Sequence, residues 1–163
     1  MFSPKHRLVI RATSFPTDQF ICLASQVISI VQFLINLTPP HTWYGADVEA
    51  LEIKPSELDI YRSQLNVIGS DEELIQYCLN VDQFIWGVFI SIYHNTPFQN
   101  IQQIKIKTED PPFRPIPCKG VLIEIRMFDT SCIEVYAEDE NLLKKLSAYF
   151  QHSRLDKNPN ETS

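Results

Sequence analysis

The sequence predicts an α+β fold, with one mostly antiparallel sheet of about six strands and three or four helices packed mainly on one face. Three observations carry that expectation. Strand-like segments come in runs, with helices grouped apart, rather than in strict alternation. The stretch from Val121 to Ala137 reads as an antiparallel hairpin, followed by an amphipathic helix from Asp139 to Phe150. Residues 84–93 are apolar on both parities and rich in β-branched and aromatic side chains, as suits a central strand buried on both faces.

The elements follow in chain order. Residues 6–13 alternate, with Leu8, Ile10 and Ala12 on one side and Arg7, Val9 and Arg11 on the other, so they read as a strand. Phe15-Pro16 ends it, and Thr17 is placed to cap a helix over residues 17–36. No charge falls between Asp18 and Asp47, which raises the question of a membrane span. The stripe Asp18, Ser25, Ser29, Gln32 and Asn36, with Gln19 and Gln26 beside it, argues instead for a core helix with one solvated edge. Pro39-Pro40 stops the helix. His41 to Ile53 looks extended, with Tyr44, Ala46 and Val48 on one face and Trp43, Asp47 and Glu49 on the other. Residues 56–65 suggest a short helix carrying Leu58, Tyr61 and Leu65. Ser70 and Glu73 form a capping box at the start of a helix bearing Leu74, Ile75, Cys78 and Leu79.

After the central strand, Ile101 to Thr108 alternates as a more polar strand. The proline-rich stretch 110–118 cannot join a ladder and is expected to be a surface loop. In the hairpin, Val121, Ile123, Ile125 and Met127 must meet the same core as Ile133, Val135 and Ala137. That parity requires an odd loop, Asp129-Thr130-Ser131, which pairs Met127 with Ile133 and Arg126 with Glu134. Leu142, Leu143, Leu146, Tyr149 and Phe150 form the stripe of the last helix. The expected order is β-α-β-(α)-α-β-β-β-β-α, with residues 1–150 as a single α+β domain and 151–163 as a polar, disordered tail.

A chain of 163 residues, 44% hydrophobic and 21% charged, can bury a core without disulfides. The net charge of -6 and pI of about 5.1 argue against nucleic acid and anionic membrane surfaces, and suit a basic protein partner. Cys22, Cys78, Cys118 and Cys132 are widely spaced, with no C-x-x-C pair, which suggests a reducing compartment. The first apolar run, Leu8-Val9-Ile10, is too short for a signal-peptide core. The expectation is a cytoplasmic protein, monomeric or a small homo-oligomer.

No motif for catalysis, metal or cofactor stands out. Cys118 or Cys132 with His41 or His94 as base lacks any family signature. His6, His41, His94 and His152 are isolated from one another, and the four glycines are scattered. Asp47, Glu49, Glu124 and Glu134 read as a solvated face of charges rather than an acid–base pair. That face is nonetheless the expected partner surface: Trp43, Asp47 and Glu49, then Lys105 and Lys107, then Glu124, Arg126, Glu134 and Tyr136. The loop 110–118, with Phe113 and Arg114, is a second candidate. A small acidic α+β domain of this kind resembles immunity and antitoxin-type proteins as a class, through no shared motif, and the resemblance implies a non-enzymatic inhibitor of a partner protein. The competing expectations are a small enzyme or small-molecule binder with a site near His41, Asp47 and His94, and a structural subunit docking through the apolar helix 17–36.

Overall fold

The computed structural model describes residues 1–129 and 131–161. Seven strands form one antiparallel sheet: β1 (His6–Ile10), β2 (His41–Glu52), β3 (Asn66–Gly69), β4 (Val81–Tyr93), β5 (Val121–Phe128), β6 (Cys132–Ala137) and β7 (Arg154–Lys157). Their spatial order is β3-β2-β4-β5-β6-β1-β7. Three helices, α1 (Ala24–Ile35), α2 (Asp71–Leu79) and α3 (Glu140–Tyr149), contribute Val27, Ile30, Leu34, Leu74, Leu143 and Leu146 to the core on one face. The α+β architecture is the expected one.

The hairpin adopts the register that parity demanded. Arg126 faces Glu134, Met127 faces Ile133 and Phe128 faces Cys132. Thr130, the middle of the expected loop, lies outside the described residues. β4 lies inside the sheet between β2 and β5, as its two apolar faces required. Ser70 caps α2, accepting from the Glu73 amide at 3.3 Å while Glu73 accepts from the Ser70 amide at 2.7 Å.

Other elements depart from expectation. The first helix begins at Ala24 rather than near Thr17. Gln26 is the cause: its buried amide accepts from Leu23 N and donates to Asp18 Oδ2 and Phe20 O, which folds residues 18–23 into a loop. Leu23 then bridges Gln83, and Phe84 N donates to Cys22 O. No helix forms over 56–65. There the backbone pairs locally with β2, Val48 N donating to Ile60 O and Asp47 N to Arg62 O. The tail also differs: residues Arg154–Lys157 form β7 on the outer edge of β1, joined by Arg7 to Asp156 at 2.8 Å. A two-faced buried strand such as β1 needs a partner on each edge, and a polar edge strand supplies it.

The largest departure is on the second face of the sheet. The alternation of Ile104 and Ile106 with Lys105 and Lys107 is real, since the isoleucines are buried and the lysines exposed. Yet the segment is not a sheet strand. It is a short 3-10 turn at Ile101–Gln103 followed by irregular backbone, tied by Leu65 N to Ile104 O and Ile106 N to Ser63 O. With the proline-rich stretch it lays Ile101, Ile104, Ile106, Phe113, Ile116 and Cys118 over Val88, Ile90, Ile92 and Tyr136. The expected surface loop is therefore the lid of a second core.

Strand β2 does not keep one parity. Trp43 belongs to the helix-side core, and Tyr44 and Ala46 to the second. Beyond an irregularity between Ala46 and Glu49, Val48 turns to the helix side. Asp47 is the extra residue, held at φ 56° in the left-handed region that aspartate and asparagine tolerate best. Opposite it Gly87 sits at φ +156°, where a Cβ would come within 3.0 Å of Val48 and Met127 side-chain carbons. The Asp47 carboxylate accepts from Thr108 N at 2.8 Å and Thr108 Oγ1 at 2.9 Å, fastening the end of the covering layer.

These two roles of Asp47 separate by substitution. Asp47→Gly keeps the backbone geometry and loses the Thr108 bonds, at a cost of about 1–3 kcal/mol. Asp47→Ala adds left-handed strain of about 1 kcal/mol more. Urea unfolding of the two variants should rank alanine below glycine, and equal stabilities would mean that the bulge carries no strain.

Candidate functional site

The structure scatters the residues expected to form a partner face. Trp43 is fully buried, its indole donating to Asp71 Oδ1 at 2.7 Å. Glu124, Arg126 and Tyr136 are buried beneath the covering layer. Glu134 is mostly enclosed, accepting from Arg7 at 3.2 Å and from the Tyr136 hydroxyl at 2.5 Å. Only Glu49, Lys105 and Lys107 are exposed, with Asp47 half-buried. The expectation of one wet face is overturned because the segment 101–118 supplies the apolar lid that the outward isoleucines and Tyr136 demanded. Phe113 is likewise buried, while Arg114 reaches outward and pairs with Asp110 at 2.6 Å.

The buried charges form a structural network. Arg126 Nε lies 2.5 Å from Glu124 Oε1, and its Nη1 donates to Asp110 O at 2.6 Å. The Arg126 guanidinium covers the Tyr136 ring at 4.9 Å, Phe113 meets that ring edge-on at 5.4 Å, and Arg7 covers Phe113 at 5.5 Å. This cation–aromatic column pins the lid to β1, β5 and β6. Glu124 Oε2 has no protein partner among the described residues, and burial pushes the Glu124 carboxyl above its ordinary range while Arg126 pulls it back.

The second candidate trio does not converge. His41 is buried, with Nδ1 3.0 Å from Pro39 O and Nε2 2.8 Å from Asp71 Oδ1, so its ring spans β2 and α2 rather than facing solvent. His94 is exposed in the turn just after β4, its amide donating to Pro40 O. Asp47 stands about 20 Å further along β2, six residues at about 3.3 Å each. The thiols offer no ready nucleophile either. All four cysteines are free and buried, and burial pushes Cys22 and Cys78 up to about 12 and Cys118 up to about 11. Cys132 is raised by the same cause. No group of three or more potential metal ligands occurs among the described residues. The docking helix of the third expectation turns its apolar face, Val27, Ile30, Val31 and Leu34, into the core. No helix among the described residues is long and apolar enough to cross a membrane.

What remains open lies where the lid stops. Beyond Thr108 the second face of β4 and β5 is uncovered, leaving a depression of about 510 Å³. Trp86, 42% exposed, and Phe128 form its floor. Asp47 and Thr108 stand on one side with Lys107 and Glu109 above them, and Asp129 closes the hairpin end. Gln83 Nε2 donates to Asp129 Oδ1 at 2.9 Å and fixes that carboxylate. None of the four histidines lines the depression.

The depression adjoins a strongly acidic flank. Residues 41–82, which build β2, β3, α2 and the first two residues of β4, hold nine acidic and two basic residues, a net -7. The rest of the chain is close to neutral at +1. Glu49, Glu57, Glu72 and Asp82 are exposed there, among the exposed apolar side chains Leu51, Ile53, Tyr61, Val67 and Leu79. Counting charge by segment finds this flank in the sequence, whereas a total hides it. Trp86 escapes sequence reading because its strand is apolar on both sides. No known family model, curated protein or solved structure matches the chain.

Breaking the buried pair tests the network. Arg126→Met should cost about 3–5 kcal/mol by stranding Glu124, and adding Glu124→Leu should recover part of that loss. Because the folded Glu124 value is raised, its contribution is fully present below the unfolded value of about 4.3 and is lost as pH rises through the folded value. Unfolding free energies of the protein and its Glu124→Gln variant, measured across that window, should therefore differ in slope, the variant falling less as pH rises.

Proposed function

We propose that this protein is a non-enzymatic binding module that docks its acidic flank on a basic surface of another protein, as an inhibitor of the immunity or antitoxin type. The observation that carries the reading is the confinement of the whole net charge to residues 41–82, interleaved there with exposed apolar side chains. Apolar residues set among charges of one sign supply both burial and steering toward an oppositely charged patch. The same charge set disfavours phosphate backbones and anionic lipid. Four free, buried cysteines support a reducing compartment, and so a cytoplasmic setting.

The side chains of Glu57, Glu72 and Asp82 make no hydrogen bond or ion pair among the described residues and are exposed, so their reversal to lysine should spare the fold. With the product of the adjacent reading frame as partner, the triple variant should associate about 10–100-fold more slowly at low salt, by surface plasmon resonance. Added salt should narrow that gap. Association that ignores both the reversals and the salt would remove the flank from the interface.

A further inference from the structure

We propose that the depression floored by Trp86 is an anchoring site for an arginine side chain presented by the partner, an inference that rests on the docking reading above. The argument begins with shape. The edge of the lid at Thr108 leaves Trp86 and Phe128 as a partly apolar floor within a hollow of about 510 Å³, ample for one long side chain. An exposed indole on a central strand costs solvation and offers a flat π-face. A guanidinium is the group that pairs a flat, weakly hydrated cation with such a face.

The walls fit the same group. Asp47 Oδ2 is occupied by Thr108, and Asp129 Oδ1 by Gln83. Asp47 Oδ1 and Asp129 Oδ2 carry no bond among the described residues. These carboxylates are held by their bonded oxygens, so the other oxygen of each is oriented at little further entropic cost, and they stand on different sides of the floor. A forked guanidinium can donate to separated carboxylates while lying on an aromatic ring, whereas a compact ammonium serves one at a time. Glu109 adds a third carboxylate at the rim. Two cations lie near the hollow, of which only Lys107 lines it. Lys107 stands at the rim, and Arg11 donates to Ser131 O from the far side of that residue at 3.4 Å. Lys107 offsets one of the three carboxylates. Arg11 is held outside the hollow by its bond to the carbonyl. Two negative charges are left over in the lining, which favours an added cation that can meet both.

The two tryptophans give an internal control. In a ¹⁵N-labelled sample the Trp86 indole faces the hollow and the Trp43 indole is buried on Asp71. Titration with the tripeptide Gly-Arg-Gly, blocked at both ends, should shift the Trp86 indole resonance and the Phe128 and Asp129 amides, saturating at about 10 mM, and leave Trp43 still. The citrulline peptide, neutral and of the same shape, should bind at least tenfold more weakly, and the lysine peptide should fall between. Asp129→Asn, which keeps an acceptor for Gln83, should weaken the arginine peptide severalfold. Equal binding of citrulline and arginine, lysine binding as tightly as arginine, or no shift at all would each overturn the assignment. Its failure is distinct from that of the docking reading. If the peptide binds but flank reversals leave partner association unchanged, the docking reading falls. If the reversals slow association but the Trp86 resonance never moves, the anchoring site falls alone.

Discussion

The left-handed backbone at Asp47 is the constraint on which the rest of the second face depends. One extra residue in β2 reverses the side to which every later side chain points. Before it, Trp43 enters the helix-side core and Ala46 the opposite one; after it, Val48 points to the helices and Glu49 stands opposite Trp86. The same residue spends its carboxylate on Thr108 and so determines where the lid ends. The bulge, the lid and the open hollow are consequences of a single aspartate, and Gly87 across the ladder gives it room.

A sheet whose two faces are covered by such different layers needs different forces on each. The helix side is apolar packing. The lid has no ladder with the sheet, so its backbone polar groups find local partners, such as Ser63 and Ile101 carbonyls, while its isoleucines and Phe113 supply burial. That burial is nondirectional. The directional part comes from Arg126, which reaches Glu124 in β5 and the Asp110 carbonyl in the lid at once. A buried pair of this kind adds little net stability but penalises any register in which either charge is left alone. The column of Arg126, Tyr136, Phe113 and Arg7 then extends the lid's attachment to β1, and through Asp156 to β7.

Parity succeeded in the sequence where both strands of a pair face one core without interruption. The hairpin register, Arg126 opposite Glu134, follows from that alone. Parity failed at Asp47, since a bulge leaves no mark in a pattern of alternating residues beyond an aspartate where one is unremarkable. It failed for Glu124, Arg126 and Tyr136 in another way: polar residues on an outward face read as wet, and only the distant isoleucines of the lid make them buried, while Trp43 turns into the helix-side core. β7 pairs with a strand some 150 residues earlier, and its polar composition is that of a tail or an edge strand alike. The proposed docking surface was legible only in part. Asp47 and Glu49 sit at its border, while Trp86 was hidden inside a segment whose apolarity is otherwise fully explained by burial.

Acidity and openness coincide for a physical reason. Strand β2 leaves β3 after Gly45, held beyond it only where Asp47 and Val48 bond to Arg62 and Ile60, and the lid meets it there through Thr108 on Asp47. The sheet is thus thin there, and its side chains must satisfy themselves in water or in a partner. Concentrating like charges at that end costs self-repulsion in the free protein. The cost is modest, because exposed charges separated by more than about 8 Å are largely screened at physiological salt. It also discourages the exposed Leu51, Val67 and Trp86 from joining copies of the same chain, since each copy would bring its own acidic surround. On the proposed docking reading, a basic partner would remove both the repulsion and the exposed apolar area together, so the residues that set copies of the chain apart would be the ones that draw a surface of opposite charge.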